Sequence, residues 1–137
     1  MTELSGKRAV VSGASLGIGR GIAVELARAG ATVAVNYRSN PDRADEVVRE
    51  CQEVGGDAFK IQADVSVQDQ AETMMDSAIK RLGGIDIVVS NAAYSDRHLM
   101  LESDMAEFRK TIDVSMWGAF YVVRSGAAEL VKAGKGG

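Results

Sequence analysis

Gly13, Gly17 and Gly19 fall within the stretch Ser12-Gly13-Ala14-Ser15-Leu16-Gly17-Ile18-Gly19-Arg20, and they carry the clearest chemical signal in the chain. They follow the apolar run Ala9-Val10-Val11 and lead into the helical spacing Ile22, Ala23, Leu26, Ala27. A strand, a sharp turn and a helix start therefore share one short segment. Glycine lets the backbone bend and come close to a ligand, and the first N–H groups of a helix have no partner inside it. Such a turn can hold the diphosphate of a dinucleotide. The alternative is an empty strand–helix turn, since the spacing Gly13-x-x-x-Gly17-x-Gly19 departs from the commoner G-x-G-x-x-G.

A second signal lies past the next apolar run. NAD-selective sites usually place an acid at the end of their second strand to bind the ribose hydroxyls, but this chain has Tyr37, Arg38 and Ser39 there. A guanidinium can form charge-assisted bonds to the 2′-phosphate of NADP, so the residues favour NADP. A solvated surface arginine is the other reading of Arg38. Tyr37, Tyr94 and Tyr121 are the three tyrosines, and none has lysine four positions on. No neighbouring cation in that register lowers a phenol toward acid–base work at neutral pH. His98 stands alone, without cysteine or carboxylate at metal-ligand spacing, and no metal is expected. Cys51 is the only cysteine and lies on an apolar stripe, as a packed structural thiol would.

The elements that would position these residues alternate along the chain. Strands are expected at Ala9–Val11, Thr32–Val35, Ala58–Gln62 and Ile85–Val89. Between them, Ile18–Ala29 reads as a helix stopped by Gly30. Asn40 caps a second helix with Pro41 in its first turn and Val47, Val48, Cys51 and Val54 inward. Ser66-Val67-Gln68-Asp69 resembles a capping box for a third, with Ala71, Met74, Met75, Ala78, Ile79 and Leu82 inward. A final single helix starts at Asp104 and Glu107 and runs through Phe108, Ile112, Met116, Ala119, Phe120, Val123 and Leu130. The glycine-rich tail from Ala133 to Gly137 stops it. Methionines 74, 75, 100, 105 and 116 read as packing residues. Strict strand–helix alternation predicts an α/β fold, a doubly wound parallel sheet in the order 3-2-1-4, with ligands at the strand ends between strands one and four. Ile85-Asp86-Ile87-Val88-Val89 is too apolar for an open edge, so something is expected beside it.

The chain has 137 residues, 46% of them hydrophobic and 26% charged, which suits one globular domain over residues 1–137. A formal net charge of −3 argues against nucleic acid or an anionic membrane as the main partner. The start Met1-Thr2-Glu3-Leu4-Ser5-Gly6-Lys7 lacks the apolar core of a secretory signal, and a lone cysteine suits a reducing compartment. A cytoplasmic protein is expected.

With Asp64-Val65 after the third strand and Ser90-Asn91-Ala92-Ala93 after the fourth, the glycine turn resembles the cofactor half of the short-chain dehydrogenase/reductase family over the whole chain. The stretches Asn36-Tyr37-Arg38-Ser39 and Thr111 to Phe120 look like its bacterial glucose-dehydrogenase-like and oxoacyl-reductase-like members. The resemblance implies a Rossmann-like fold and hydride transfer between a nicotinamide coenzyme and a carbonyl or alcohol. By it, Ser15, Leu16 and Ile18 contribute backbone N–H groups and shape, and Asp64 and Val65 contact the adenine. Asn91 braces the sheet, and Ala92 and Ala93 let the cofactor approach. NADP(H) remains favoured and NAD(H) possible, because many NADP-preferring relatives have a basic residue where this chain has Leu16. Ser115 takes the position of a family asparagine that takes part in a proton relay, and its hydroxyl can hold a water. Tyr94, Ser95, Asp96 and His98 fall on the substrate-side loop. The family's catalytic serine and Tyr-x-x-x-Lys pair lie beyond a fifth strand, so this chain is expected to be truncated before that strand and inactive alone. Family packing of the last helix implies a homo-oligomer, a dimer or tetramer. The competing reading is a non-catalytic dinucleotide-binding or subunit-interaction module; a methyltransferase is disfavoured by Tyr37-Arg38 and by the glycine spacing.

Overall fold

The computed structural model describes residues 3–134 and 136. Four parallel strands, β1 (Arg8–Val11), β2 (Thr32–Tyr37), β3 (Asp57–Gln62) and β4 (Ile87–Val89), form one sheet in the order β3-β2-β1-β4. Helices α1 (Gly17–Arg28), α2 (Pro41–Glu53), α3 (Gln68–Leu82), α4 (Met105–Ile112) and α5 (Gly118–Ala133) follow in chain order.

Side chains alternate between the faces of a strand, and here both faces are covered, which explains the consecutive apolar residues Ala9–Val11, Val33–Val35 and Ile87–Val89 in the three strands β1, β2 and β4. On one face Ala9, Val11, Val33 and Val35 pack with Ala23 and Ala27 of α1 and Val47 and Cys51 of α2. On the other, Val10, Ala34 and Phe59 pack with Met74, Met75 and Ala78 of α3 and Val122 of α5. Lys60 pairs with Asp45 at 2.6 Å, and Arg20 pairs with Glu50, so polar contacts join α2 to β3 and to α1.

Helix α2 begins as expected: the Asn40 side chain accepts from the Arg43 N–H, and Pro41 opens the first turn. Helix α3 does not. Its N-cap is Val67, which has no side-chain cap, because the Ser66 hydroxyl donates to Asp64 Oδ1 at 2.6 Å instead. Strand β4 is also shorter than expected. The Asp86 N–H still donates to the Arg8 carbonyl at 2.9 Å, but its carboxylate accepts from the Arg8 backbone N–H at 2.9 Å and from Nε at 2.8 Å, so a side chain takes one of the two backbone groups of Arg8 before the strand begins. No strand lies beyond β4 among the described residues.

The expected last helix is divided. Asp104 caps α4 by accepting from the Ala106 N–H at 2.7 Å, but Asp113–Trp117 forms a π-helical turn before α5. The inward stripe is Gly118, Val122 and Gly126, where a side chain at Gly118 or Gly126 would press on Val65 or Val88. Of the apolar residues along the expected last helix, Phe108, Met116, Phe120 and Val123 are about half exposed. Met100 and Met105 are exposed as well, so only Met74 and Met75 of the five methionines are buried. Close packing of α5 through glycine turns its bulky residues outward. Gly134 ends α5 with φ of 67°, while Lys135 and Gly137 of the expected tail lie outside the described residues.

Candidate functional site

The loop after β1 is held from two sides before any ligand is considered. Ser12 is fully buried, and its hydroxyl oxygen accepts from the N–H groups of Asn91 at 3.0 Å and Ala92 at 3.1 Å. The Asn91 side-chain amide donates back to the carbonyls of Ser12 and Gly13 at 3.1 and 3.0 Å. On the opposite side Asn36, 2% exposed, accepts from the Gly13 N–H at 3.0 Å and donates to the carbonyls of Ile61 and Ala63 at 3.3 Å each. Asn36 thus ties the end of β2 to the β1 loop and to β3. In low dielectric a satisfied polar network of this kind fixes geometry.

Two of the three turn glycines have positive φ, 61° at Gly13 and 60° at Gly17. Gly13 also needs to be small, because a Cβ there would stand 2.8 Å from Ala92 Cα. Gly19 is required for space alone: a Cβ would overlap the Asn91 amide and the Gly13 carbonyl. The first turn of α1 carries no acid, and Leu16 at its N-cap makes no side-chain cap bond. The N–H groups of Ser15, Leu16, Gly17 and Ile18 have no acceptor among the described residues. They remain available to an anion, with the positive end of the helix dipole behind them.

These groups face a cleft of about 750 Å³ at the carboxyl ends of the strands. Of the residues predicted to bind cofactor, Gly13, Ser15, Leu16, Gly17, Ile18, Arg38, Ser39, Asp64, Val65, Asn91, Ala92 and Ala93 line it. Two of them, Gly19 and Tyr37, do not, and neither does Ser115, expected at the proton-relay position. Gly19 lies behind the turn as a packing glycine. Tyr37 is buried, 9% exposed, and faces the core, because strand alternation sends its neighbour Arg38 outward to the cleft. Ser115 is occupied with the chain itself: its hydroxyl accepts from the Tyr94 N–H at 3.0 Å and donates to the Tyr94 carbonyl at 2.8 Å. This pair of hydrogen bonds commits the Ser115 proton to the loop backbone and leaves one lone pair of its oxygen free.

Six lining residues were missed. Asn36, Asn40, Arg43, Ala63 and Arg97 line the cleft, as does Val114 of the π-helical turn. Asn36 could have been found as a lone amide among apolar strand residues; Arg43 and Arg97 look like ordinary solvated cations in the sequence. Asp64 is held by its bonds from the Ser66 N–H and hydroxyl. Tyr94 also lines the cleft, but its hydroxyl donates to Glu107, and that bond raises its pKa. Lys110 sits over the same ring, 4.1 Å from its centroid. With its proton held by Glu107, Tyr94 is unsuited to act as an acid toward a ligand. His98 stays outside the cleft and bonds Asp96 through Nδ1 at 2.5 Å. Among the described residues no cluster of three or more His, Cys, Asp or Glu is placed to hold a metal. Cys51 lies in the core, where burial pushes its thiol up to about 11.

Residues 7–137 match the family model for short chain dehydrogenase. The short chain dehydrogenase/reductase AacuN of Aspergillus aculeatus is 40% identical over 96% of this chain and 50% of its own length. The 3-oxoacyl-[acyl-carrier-protein] reductase FabG of Staphylococcus aureus is 35% identical over 95% of this chain and 53% of its own. A Sphingomonas L-rhamnose 1-dehydrogenase (NAD(P)(+)) is 34% identical over the whole chain and 54% of its own length. Among solved structures, a short-chain type dehydrogenase/reductase from Mycobacterium marinum superposes with a TM-score of 0.93 at 41% identity, covering 99% of this chain and 55% of that one. The chain spans about half the length of the relatives it matches.

Proposed function

Because this chain belongs to the short-chain dehydrogenase/reductase family, we propose that it forms the nucleotide-binding portion, residues 1–137, of an NAD(P)-dependent oxidoreductase acting on a carbonyl or alcohol. One observation carries the reading: a rigid glycine turn presents unpaired helix N–H groups to a cleft that also receives Arg38. The residues fit a dinucleotide, since Gly13 and Gly17 both line the cleft at the turn, and the space a Cβ would take at Gly17 is open. A bound nicotinamide would supply or accept the hydride. The chain's own part is to bind and orient. The α1 N-terminus takes the diphosphate, Asp64 and Val65 border the adenine, Arg38 and Arg43 take the 2′-phosphate, and Ala92 and Ala93 leave room beside β4.

NADP(H) is the favoured cofactor because two cations, and no acid, follow β2 at the cleft wall, while NAD(H) is also accommodated. Isothermal titration of this chain with NADPH and NADH tests the reading: NADPH binds tighter, and heat with neither cofactor overturns it. By itself the chain is expected not to turn over, since no tyrosine–lysine pair is present and the Tyr94 proton is committed to Glu107. Oxidation of NADPH by the isolated chain with any of a panel of ketones would contradict that. The lack of the pair also favours a second reading, a non-catalytic dinucleotide-binding or subunit-interaction module. Activity of a longer form carrying this chain would exclude it. The proposal includes a cytoplasmic homo-oligomer, supported by the apolar outer face of α4 and α5; no described helix is long and apolar enough to cross a membrane.

A further inference from the structure

We propose that Arg97 selects an anionic substrate, binding a carboxylate or phosphate group carried near the reacting carbon; the inference rests on the dinucleotide reading above. The cleft runs along the sheet from the end of β2 to the end of β4, with the α1 N-terminus between them. A dinucleotide whose diphosphate lies on that N-terminus and whose adenosine half lies over β2 extends its other half toward β4. The β4 end is bordered by Tyr94, Arg97 and Val114.

Most of the chain's arginines outside the cleft are engaged. Arg8, Arg20 and Arg28 pair with carboxylates, and Arg81 and Arg124 lie over aromatic rings. Arg38, Arg43 and Arg97 line the cleft without an acidic partner among the described residues. The first two stand at the adenosine end, where a cofactor phosphate accounts for them. Arg97 stands at the other end, where the cofactor brings no further phosphate.

The segment that carries Arg97 is held in place. Ser115 bonds both backbone groups of Tyr94, and the Asp96 N–H donates to the Thr111 hydroxyl at 3.1 Å. Asp96 Oδ1 accepts from the His98 N–H at 3.1 Å and bonds its ring, so Arg97 is bracketed by a closed turn. These bonds hold the Asp96 carboxyl below its ordinary range, and neither of its oxygens pairs with Arg97: Oδ1 is taken by His98, and Oδ2 is buried without a partner among the described residues. Asp96 and Ser115 are therefore positioning residues for a guanidinium aimed at the substrate end. A guanidinium matches the paired oxygens of a carboxylate or phosphate.

The test uses this chain saturated with NADPH. Amide NMR signals of Tyr94 and Arg97 report binding of acetoacetate against its methyl ester, and of dihydroxyacetone phosphate against dihydroxyacetone, at constant ionic strength. The anion of at least one pair is expected to bind about tenfold tighter than its neutral partner. Which pair shows the preference distinguishes carboxylate from phosphate. Arg97→Gln removes it and Arg97→Lys keeps part of it, with NADPH affinity unchanged in both. Equal binding within both pairs, or a preference that survives Arg97→Gln, overturns the inference. So does weakened NADPH binding in Arg97→Gln, which would make Arg97 a cofactor ligand. If the unaltered chain binds no NADPH, the dinucleotide reading falls and takes this one with it.

Discussion

Arg38 and Ser12 do opposite kinds of work at the same cleft. Arg38 is exposed and acts only when a phosphate arrives. Its replacement by alanine should weaken NADPH by about 1.5–3 kcal/mol, roughly ten- to a hundredfold, and leave NADH almost unchanged. Calorimetry with both cofactors checks this; an equal loss for the two would separate Arg38 from the 2′-phosphate. Ser12 is buried and works whether or not a ligand is bound, accepting from two N–H groups of the β4 loop. Ser12→Ala strands both donors, with an expected loss of about 1–3 kcal/mol in stability. Urea unfolding measures it, and Ser12→Thr, which keeps the oxygen, should retain more stability than alanine does.

Helix α5 approaches the sheet through glycine, and that has a measurable cost. A Cβ at Gly126 would run into Val88, so Gly126→Ala should destabilise by about 1–3 kcal/mol through overpacking. Gly21 in α1 meets nothing within 4 Å, and Gly21→Ala should instead stabilise by about 0.5–1 kcal/mol. Thermal unfolding of the two variants should move in opposite directions. At the start of β4, the Arg8 guanidinium and backbone N–H hold the Asp86 carboxyl below its usual range. A folded pKa depressed in this way contributes stability above the unfolded value of about 3.9, and the contribution disappears as pH falls through the folded value. Asp86→Asn should therefore lower the urea midpoint at pH 7 and flatten its decline below pH 4. An equally steep acid decline in that variant would show that the pair does not govern it.

Over the whole molecule, burial is uneven. The sheet is sealed by α1 and α2 on one face and by α3 and α5 on the other, yet Phe108, Met116, Trp117, Phe120 and Val123 stay about half exposed. Trp117 and Phe120 pack edge to face at 6.0 Å, which joins these two half-exposed rings on the outer face of the chain's last helical segment. Monomers rarely expose such a surface without a partner. Sedimentation should find a dimer or larger assembly, and Phe120→Glu should shift it to monomer because a buried unpaired carboxylate is costly. A monomeric unaltered chain at micromolar concentration would refute the assembly.

The order β3-β2-β1-β4, the turn at Gly13–Gly19 and the Asn40 cap could all be derived from the residues, because periodicity, glycine conformation and capping act over a few positions of chain. The same local logic put Arg38 at the cleft. What it could not supply was any fact fixed by contacts between distant segments. Ser66 turned to Asp64, the Asp86 carboxylate turned to Arg8, and Ser115 was claimed by the Tyr94 backbone. The outward turn of Phe120 and the unpaired state of Arg97 belong to the same group. In each case the side chain has several possible partners of similar energy, and only the folded packing decides which one comes within reach.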